Sequence, residues 1–246
     1  MDSANGCAAV MMEKVPQEPD PPTAEQLKSL QGFAGELNWL STRTRPDISY
    51  FVSVLSSMLT KQSSWCFSLV KKIHRYLSGT KDQGVQLTSG GDMRALHAWS
   101  DAGFAGESTK SQTGLVLVWG GSIVLWRSSR QSSSALSTAE AELTAAAMTW
   151  QITEGIRTLL EELGIKPVVN LLVDNQAALA ITEKGANWRT RYFAVRSFRI
   201  REELDLCRIV LRHEGTKAMV ADALTKLASG EVLAMLRAAM DGFFSG

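Results

Sequence analysis

Four acidic residues stand at the edges of apolar segments, where a carboxylate could take part in chemistry. Asp101 ends the run His97–Ser100 and is followed at once by small residues, which indicates a strand end that a ligand can approach closely. Glu142 lies beside the apolar face of a long helical pattern, Asp174 follows a continuous apolar run, and Asp222 opens a further helical pattern. Taken singly, each is as readily a cap or a surface residue.

Together these acids suggest a cation site. If the strands that end at Asp101 and Asp174 are neighbours, both carboxylates leave the same edge of the sheet. Four carboxylates there would repel one another unless a cation lay among them. Oxygen ligands without histidine or thiolate favour Mg²⁺ or Mn²⁺ over zinc. Two such ions about 4 Å apart can activate water and stabilise the leaving oxygen of a phosphodiester.

One helix offers two glutamates, of which only one can face the site. Glu140 lies about 200° around the helix from Glu142, so both cannot point into one place. Small residues at positions 145–147 would let this helix approach the sheet closely.

The elements that must position these acids follow from hydrophobic periodicity. Strands are predicted at Leu96–Ser100, Gly114–Trp119, Ser122–Ser129, Val168–Val173 and Arg208–Arg212. Helices are predicted to begin at Thr23 and Pro46 and to span Trp65–Leu77, Ser137–Leu163, Gln176–Lys184, Thr190–Leu206 and Lys217–Leu227. This order predicts an α/β fold with a mixed sheet, antiparallel in its first half and flanked by helices.

The composition of the chain argues against several classes of protein. The chain has 246 residues and a net charge of +1, so a nucleic-acid partner would need a local basic patch. Three cysteines and three histidines are scattered, which indicates neither a zinc ribbon nor a disulfide framework. No apolar run approaches the roughly 20 residues of a membrane span, and the N-terminus lacks a secretory pattern. We therefore expect an intracellular protein without a membrane partner.

Several motifs, taken in order, resemble the ribonuclease H domain of copia-type retrotransposon Pol polyproteins. The segments that carry the resemblance are Ala98–Gly106, Leu136–Glu142, Val173–Gln176 and Ala221–Lys226. Upstream, Thr44–Ile48 and Arg75–Lys81 are similar to the segment between the reverse transcriptase palm and that domain. The chain then corresponds to a C-terminal part of Pol. Its division would be a disordered linker (1–22), a helical reverse-transcriptase connection remnant (23–90), a ribonuclease H-like domain (91–229) and a C-terminal helix or tail (230–246).

The resemblance implies a ribonuclease H-like five-stranded sheet and cleavage of the RNA strand of RNA–DNA hybrids with two Mg²⁺ ions, or Mn²⁺. It assigns metal binding to four acids: Asp101, Glu142, Asp174 and Asp222. It gives His213 a part in proton transfer or product release, with a plain strand-end residue as the alternative. Further candidates for nucleic-acid contact are Arg127, Arg130, Asn175, Gln176 and Lys226. The expected partners are the hybrid and an upstream reverse transcriptase domain.

The sequence also departs from that family. Gly103 and Phe104 stand where the family often has an acidic residue and a tryptophan, and Arg189–Arg196 lacks the usual histidine and aspartate. No Tyr-x-Asp-Asp polymerase signature occurs. Two alternatives follow: a catalytically decayed or repurposed module that binds hybrid or protein, and a DNA-strand-transferring or resolving enzyme of the same broad fold.

Overall fold

A mixed five-stranded sheet forms the centre of the larger part of the chain. The computed structural model describes residue 10 and residues 12–88, 90–105, 110–176, 194–227 and 230–242, with the backbone alone at 194–196. The strands are β1 (Ala95–Gly103), β2 (Gln112–Trp119), β3 (Ser122–Arg130), β4 (Val168–Val173) and β5 (Ile209–His213), in the order β3-β2-β1-β4-β5. β1, β2 and β3 pair antiparallel, whereas β4 pairs parallel with β1 and β5. The predicted mixed sheet, antiparallel in its first half, is confirmed.

Helices cover both faces of this sheet. The described helices are α1 (Ala24–Arg43), α2 (Ser49–Met58), α3 (Ser63–Gly79), α4 (Thr138–Glu162), α5 (Ala194–Asp205) and α6 (Gly230–Met240). α4 packs on one face, where Leu117 and Leu171 point, and α6 packs on the other, beneath Val116 and Leu172. Successive strand residues thus alternate between two cores, as the pleat requires. The hairpin between β2 and β3 turns at Gly120 and Gly121, whose φ angles of +58° and +82° suit glycine.

The first three helices enclose a core of their own and also contact the sheet. Leu30, Ile48, Leu55 and Ile73 are fully buried among them. α1 begins at the predicted capping box, in which Thr23 and Gln26 exchange hydrogen bonds. Trp126 of β3 donates its indole N–H to the carbonyl oxygen of Ser41, and Gln112 donates to Ser53 Oγ at 2.8 Å.

The two upstream motifs meet in a buried polar network. The Arg45 guanidinium holds Asp47 in two parallel hydrogen bonds of 2.9 and 2.8 Å and also donates to Thr80. The Tyr76 hydroxyl donates to Asp47 and accepts a 2.9 Å hydrogen bond from Arg237 of α6. Burial, with Asp47 adding to it, raises the pKa of Tyr76 to about 12. This network therefore joins the helical segment to the far end of the chain.

The described part of the N-terminal segment corrects one prediction. The sequence predicts a disordered linker at residues 1–22, with little that could pack. In the described residues Gln62 donates to the carbonyl oxygens of Pro16 and Glu18, and Trp65 donates to that of Glu13. The segment packs because three apolar side chains join the core of the helical segment: Val10, Met12 and Val15.

A second correction concerns the predicted helix Lys217–Leu227. The structure has two short 3₁₀ helices there, Thr216–Ala218 and Val220–Leu224, separated by Met219 with a non-helical ψ of 86°. We call Val220–Leu224 the 3₁₀ segment. Asp222 lies at its middle and does not open a helix.

The predicted helix Gln176–Lys184 falls almost wholly outside the described residues. No helix among the described residues has the length and apolar character needed to cross a membrane. The four-part division of the chain stays a prediction.

The Arg45–Asp47 pair offers a test of the network. Both side chains are at most 5% exposed, so Asp47→Asn would leave a buried guanidinium without its counter-charge. We expect the free energy of unfolding, measured by urea denaturation, to fall by about 3 kcal/mol or more. The exposed pair Asp92–Arg94 provides the control, since Asp92→Asn should change it by less than about 1 kcal/mol. If Asp47→Asn and Asp92→Asn lowered the free energy of unfolding equally, the buried network would not join these elements.

Candidate active site

The register of two parallel strands brings two of the acids to one edge of the sheet. Ser100 of β1 pairs with Val173 of β4, so the next residues, Asp101 within β1 and Asp174 just after β4, lie side by side. A slip of one residue would turn either side chain to the other face. Asp101 is 3% exposed and Asp174 is half-buried.

The two glutamates near the N-terminus of α4 have different roles. Ser137 caps the helix by accepting from the Glu140 N–H, and the Glu140 carboxylate accepts a 2.7 Å hydrogen bond from the Leu136 N–H. Glu140 therefore serves the helix terminus. Glu142 instead faces the sheet and is 6% exposed. The helix can approach β1 this closely because its contacting residues are small: Ala141, Ala145 and Ala146.

Asp101, Glu142 and Asp174 form the acidic centre. Each offers one carboxylate oxygen, and these oxygens lie within 4.8 Å of one another. Glu142 Oε2 is buried with no hydrogen-bond partner among the described residues. A buried acceptor without a donor is costly, and a bound cation would satisfy it. The donor set, all carboxylate oxygen, fits Mg²⁺ or Mn²⁺.

The fourth acid reaches this edge on the 3₁₀ segment. Two glycines let the segment lie directly on the sheet: a Cβ on Gly103 would fall 2.4 Å from the Thr225 carbonyl oxygen, and one on Gly114 would fall 2.6 Å from the Ala221 carbonyl oxygen. An acidic side chain at position 103, which the resembling family often has, would collide with this backbone. The glycine at position 103, where the family often has an acidic residue, therefore allows the segment that carries Asp222 to approach the sheet closely.

Two polar residues after the 3₁₀ segment contact the acids. The Thr225 hydroxyl donates to Asp101 Oδ2, and the Lys226 ammonium forms an ion pair with Asp222. Asp222 is 3% exposed but does not belong to the group of three oxygens described above. The structure thus brings three of the four predicted acids into one cluster, with the fourth beside it and paired to a lysine.

Burial and mutual repulsion raise the pKa values of the carboxyl groups in the acidic centre. Burial raises the pKa of Asp101 to about 7; the Thr225 hydrogen bond opposes this rise, and the charges of Asp222 and Asp174 add to it. Burial, with the charges of Asp101 and Asp174, raises the pKa of Glu142 to about 9. The pKa of Asp174 is also raised, chiefly by burial and Asp222. A divalent cation would offset both causes.

The remaining predicted residues surround the centre at different distances. His213 ends β5, and its Nε2 lies 3.0 Å from the carbonyl oxygen of Asp174. Arg127 is exposed on β3, whereas Arg130 lines a cavity together with Lys226. Two further candidates follow β4, beside the gap in the described residues: Asn175 and Gln176. The side chains of Arg189–Arg196 lie outside the described part.

Sequence reasoning missed the contributions of Thr225, Gly103 and Gly114. Thr225 lies within the motif Ala221–Lys226, three residues after Asp222, and its place in that motif was the available signal. For the glycines no local signal existed, because the atoms that crowd them come from residues more than 100 positions later.

Comparison with curated proteins identifies relatives. The chain is 32% identical over 203 residues to the retrovirus-related Pol polyprotein from transposon RE2 of Arabidopsis thaliana, covering 80% of this chain and 14% of that protein. It is 34% identical over 197 residues to the Pol polyprotein from transposon TNT 1-94 of Nicotiana tabacum, covering 78% of this chain and 15% of the relative. A Saccharomyces cerevisiae Ty1 Gag-Pol polyprotein is 24% identical over 210 residues, 82% of this chain.

The chain is a homologue of transposon Pol polyproteins. It spans about one seventh of the length of the plant relatives. The resemblance to copia-type Pol predicted from the motifs is confirmed. No family model matches the chain.

Solved structures with some likeness are ribonucleases H. LC11-RNase H1, isolated from compost, is 15% identical, with a TM-score of 0.44 and 54% of this chain covered against 94% of its own. RNase H1 from Halobacterium salinarum is 18% identical, with a TM-score of 0.41 and 60% of this chain covered against 98% of its own. Because these scores are low, the fold class rests on the strand order and directions described above. That fold class is a mixed five-stranded sheet flanked by helices, in a chain homologous to transposon Pol polyproteins.

The acidic centre predicts opposite effects of one substitution with and without a cation. A carboxyl whose pKa rises on folding destabilises the protein above its unfolded pKa, because only the unfolded state then ionises freely. Glu142→Gln removes this cost, so in EDTA at pH 8 we expect the free energy of unfolding to increase by about 1.4 kcal/mol or more, the equivalent of one pKa unit. This gain should disappear as the pH falls towards 4, where both states are protonated.

The measurement is urea denaturation of the unmutated chain and Glu142→Gln across pH 4–9, with and without Mg²⁺. Mg²⁺ should stabilise the unmutated chain more than the variant, since only the former keeps all three carboxylates. Loss of stability in Glu142→Gln without metal at pH 8 would contradict the repulsion inferred here.

Proposed function

We propose that this transposon Pol homologue is a metal-dependent endoribonuclease that cleaves the RNA strand of RNA–DNA hybrids. The single observation that carries the proposal is the convergence of Asp101, Glu142 and Asp174, from three separate elements, on one buried and partly unsatisfied cluster. Acids of this kind are rarely buried together without a cation to balance them. The motif resemblance to the ribonuclease H domain of copia-type Pol supplies the substrate class.

The residues have distinct parts in this proposal. Asp101, Glu142 and Asp174 would hold the metal, and Asp222 would join them once the Lys226 ammonium turns towards a phosphate. Thr225 keeps the Asp101 carboxylate in place through its hydroxyl. When bound, a pair of Mg²⁺ or Mn²⁺ ions would activate water and stabilise the leaving oxygen of the phosphodiester. The products would then carry a 5′-phosphate and a 3′-hydroxyl.

The surroundings of the acidic centre support contact with nucleic acid. Arg127 and Arg130 on β3 would bind phosphates and so set the position of the duplex. Asn175 and Gln176 would contact the 2′-hydroxyls that mark the RNA strand. His213, next to the Asp174 backbone, would assist proton transfer or product release.

The same proposal covers organisation and partners. Residues 23–90 would be a remnant of the reverse-transcriptase connection, and an upstream reverse transcriptase domain would be the partner within a longer polyprotein. The homology to Pol over about 80% of the chain supports this organisation. From the same homology we also propose an intracellular site of action.

A second candidate, a module that binds hybrid without cutting it, is favoured by one observation. Two of the four acids already have internal partners, because Thr225 donates to Asp101 and Lys226 pairs with Asp222. If these contacts persist in the presence of metal, the centre would lack its fourth acid. Hybrid binding with no cleavage in either Mg²⁺ or Mn²⁺ would support this candidate.

Cleavage of a labelled RNA–DNA hybrid tests the proposal directly. The unmutated chain should cut the RNA strand in Mg²⁺ and not in EDTA. Asp101→Asn, Asp174→Asn and Glu142→Gln should each lower the rate by at least about 100-fold, because each removes a charge that the transition state requires.

Glu140→Gln is the matched control, since Glu140 lies on the same helix and serves only its N-terminus. It should keep activity within a few-fold. The nuclease assignment fails if the unmutated chain leaves the hybrid intact in both metals, or if the three acidic variants cut it as fast as the control. Cleavage of duplex DNA without any hybrid would point instead to a DNA-cutting enzyme of the same broad fold.

A further inference from the structure

A buried glutamine lies between the sheet and the helix that carry the acids. Gln131 follows the last residue of β3 and is 2% exposed. Its side-chain nitrogen donates to Thr113 Oγ1 of β2 at 3.1 Å and to the Ala141 carbonyl oxygen of α4 at 2.9 Å. Because a carbonyl oxygen can only accept, the atom that faces Ala141 is the nitrogen of the carboxamide. The amide therefore bonds to both layers, one hydrogen bond to each.

The two partners of this amide stand next to two acids of the acidic centre. Ala141 directly precedes Glu142 in α4. Thr113 pairs across the sheet with Ala102, the residue after Asp101. One side chain therefore links the helix position before one acid to the strand position beside another.

The backbone of this glutamine is itself fixed by the sheet. The Gln131 N–H donates to the Ser111 carbonyl oxygen at 2.8 Å, directly beyond the last pair of β2 and β3, which joins Gln112 to Arg130. The sheet thus sets the position from which the side chain reaches α4. The Ala141 carbonyl oxygen has two lone pairs, so it can accept from Gln131 in addition to its bond within the helix.

The contact between α4 and the sheet needs a directional link of this kind. The small side chains of Ala141, Ala145 and Ala146 allow the helix to come close, but they form low ridges that do little to set its height along the strands. Repulsion between the ionised carboxylates of Glu142 and Asp101 also works against the close approach. A hydrogen bond to one helix carbonyl opposes both sliding and separation, because its strength depends on distance and angle.

We propose that Gln131 is a positioning residue of the acidic centre, which holds α4 at the height that brings the Glu142 carboxylate to those of Asp101 and Asp174. The proposal rests on the proposed function for the cation that these carboxylates would bind. Gln131 itself acts through α4 and contacts neither metal nor substrate. Polar residues that orient a metal ligand from behind are typically worth about 10- to 100-fold in metal affinity.

Two buried glutamines with the same hydrogen bonding provide a matched test. Gln62 is 5% exposed and lies in the helical segment, where its amide donates to the carbonyl oxygens of Pro16 and Glu18 at 3.1 and 2.9 Å. Gln131→Met and Gln62→Met each replace the carboxamide by an unbranched apolar chain and remove two hydrogen bonds. By isothermal titration calorimetry we expect Gln131→Met to weaken Mn²⁺ binding by about 10-fold or more and Gln62→Met by less than about 2-fold.

The hydroxyl partner provides a second test that separates hydrogen bonding from packing. Thr113→Val removes the hydroxyl that accepts from Gln131 and keeps the volume, whereas Thr113→Ser keeps the hydroxyl and loses a methyl group. Mn²⁺ affinity should fall by about 3-fold or more in Thr113→Val and stay within about 2-fold in Thr113→Ser. A role in packing alone predicts the opposite order.

A measurement without metal separates this proposal from the proposed function. In EDTA, the backbone amides of residues 141–146 should exchange with deuterium about 5-fold faster or more in Gln131→Met than in the unmutated chain, because the start of α4 then opens more readily. Gln62→Met should leave the exchange of these amides unchanged. Thermal unfolding checks that each variant is folded.

Three outcomes would overturn the positioning role. They are equal effects of Gln131→Met and Gln62→Met on Mn²⁺ affinity, equal effects of the two on exchange at residues 141–146, and a greater loss of affinity in Thr113→Ser than in Thr113→Val. If the unmutated chain binds no Mn²⁺, the cation site of the proposed function fails and the exchange measurement alone decides the role of Gln131. Mn²⁺ binding that all these variants leave unchanged keeps the cation site and removes that role.

Discussion

Electrostatic repulsion among buried carboxylates is the constraint on which this molecule depends. Asp101, Glu142 and Asp174 are held together by a parallel strand pair and a helix, although burial raises the pKa of all three. The charges of Asp101 and Asp174 also raise the pKa of Glu142, and the charge of Asp174 raises that of Asp101. In a protein without a cation this arrangement costs stability. The rest of the fold must therefore supply enough packing energy to keep the acids in place, and a bound cation would convert the cost into binding affinity.

Close packing supplies that energy through small residues at the contacts. Alanines of α4 let Glu142 reach the sheet from one face, and Gly103 and Gly114 let the 3₁₀ segment lie on the other. A residue with a Cβ at either glycine would push back the backbone that carries Asp222 and Thr225. The acidic centre is thus a consequence of how closely the layers approach, and the buried network around Asp47 ties the helical segment and α6 to the same assembly.

Much of this arrangement could be predicted from the sequence because its elements are long and strongly periodic. The mixed sheet, antiparallel in its first half, followed from the order of strands and helices. The sequence placed Asp101 beside Asp174 only on the condition that β1 and β4 are neighbours, which the structure shows. Helical geometry allowed only one of Glu140 and Glu142 to face the site, and the resemblance in helix register selected Glu142. In the structure the Glu140 carboxylate accepts a hydrogen bond at the helix N-terminus. These inferences depend on local pattern, which a single sequence contains.

What the sequence did not predict depends on contacts between distant residues. The pattern at Lys217–Leu227 has helical spacing, but Met219 breaks it and the chain turns as two short 3₁₀ helices against the sheet. The acidic and proline-rich start of the chain is typical of a linker, yet its backbone carbonyls accept hydrogen bonds from Gln62 and Trp65.

A crystal structure of the protein grown with Mn²⁺, with anomalous diffraction used to locate the metal, would show whether the acidic centre binds a cation. We expect an anomalous peak bounded by carboxylate oxygens of Asp101, Glu142 and Asp174, with Glu142 Oε2 among the ligands. An acidic centre that stays without metal at saturating Mn²⁺, with its carboxylates protonated or turned apart, would contradict this expectation.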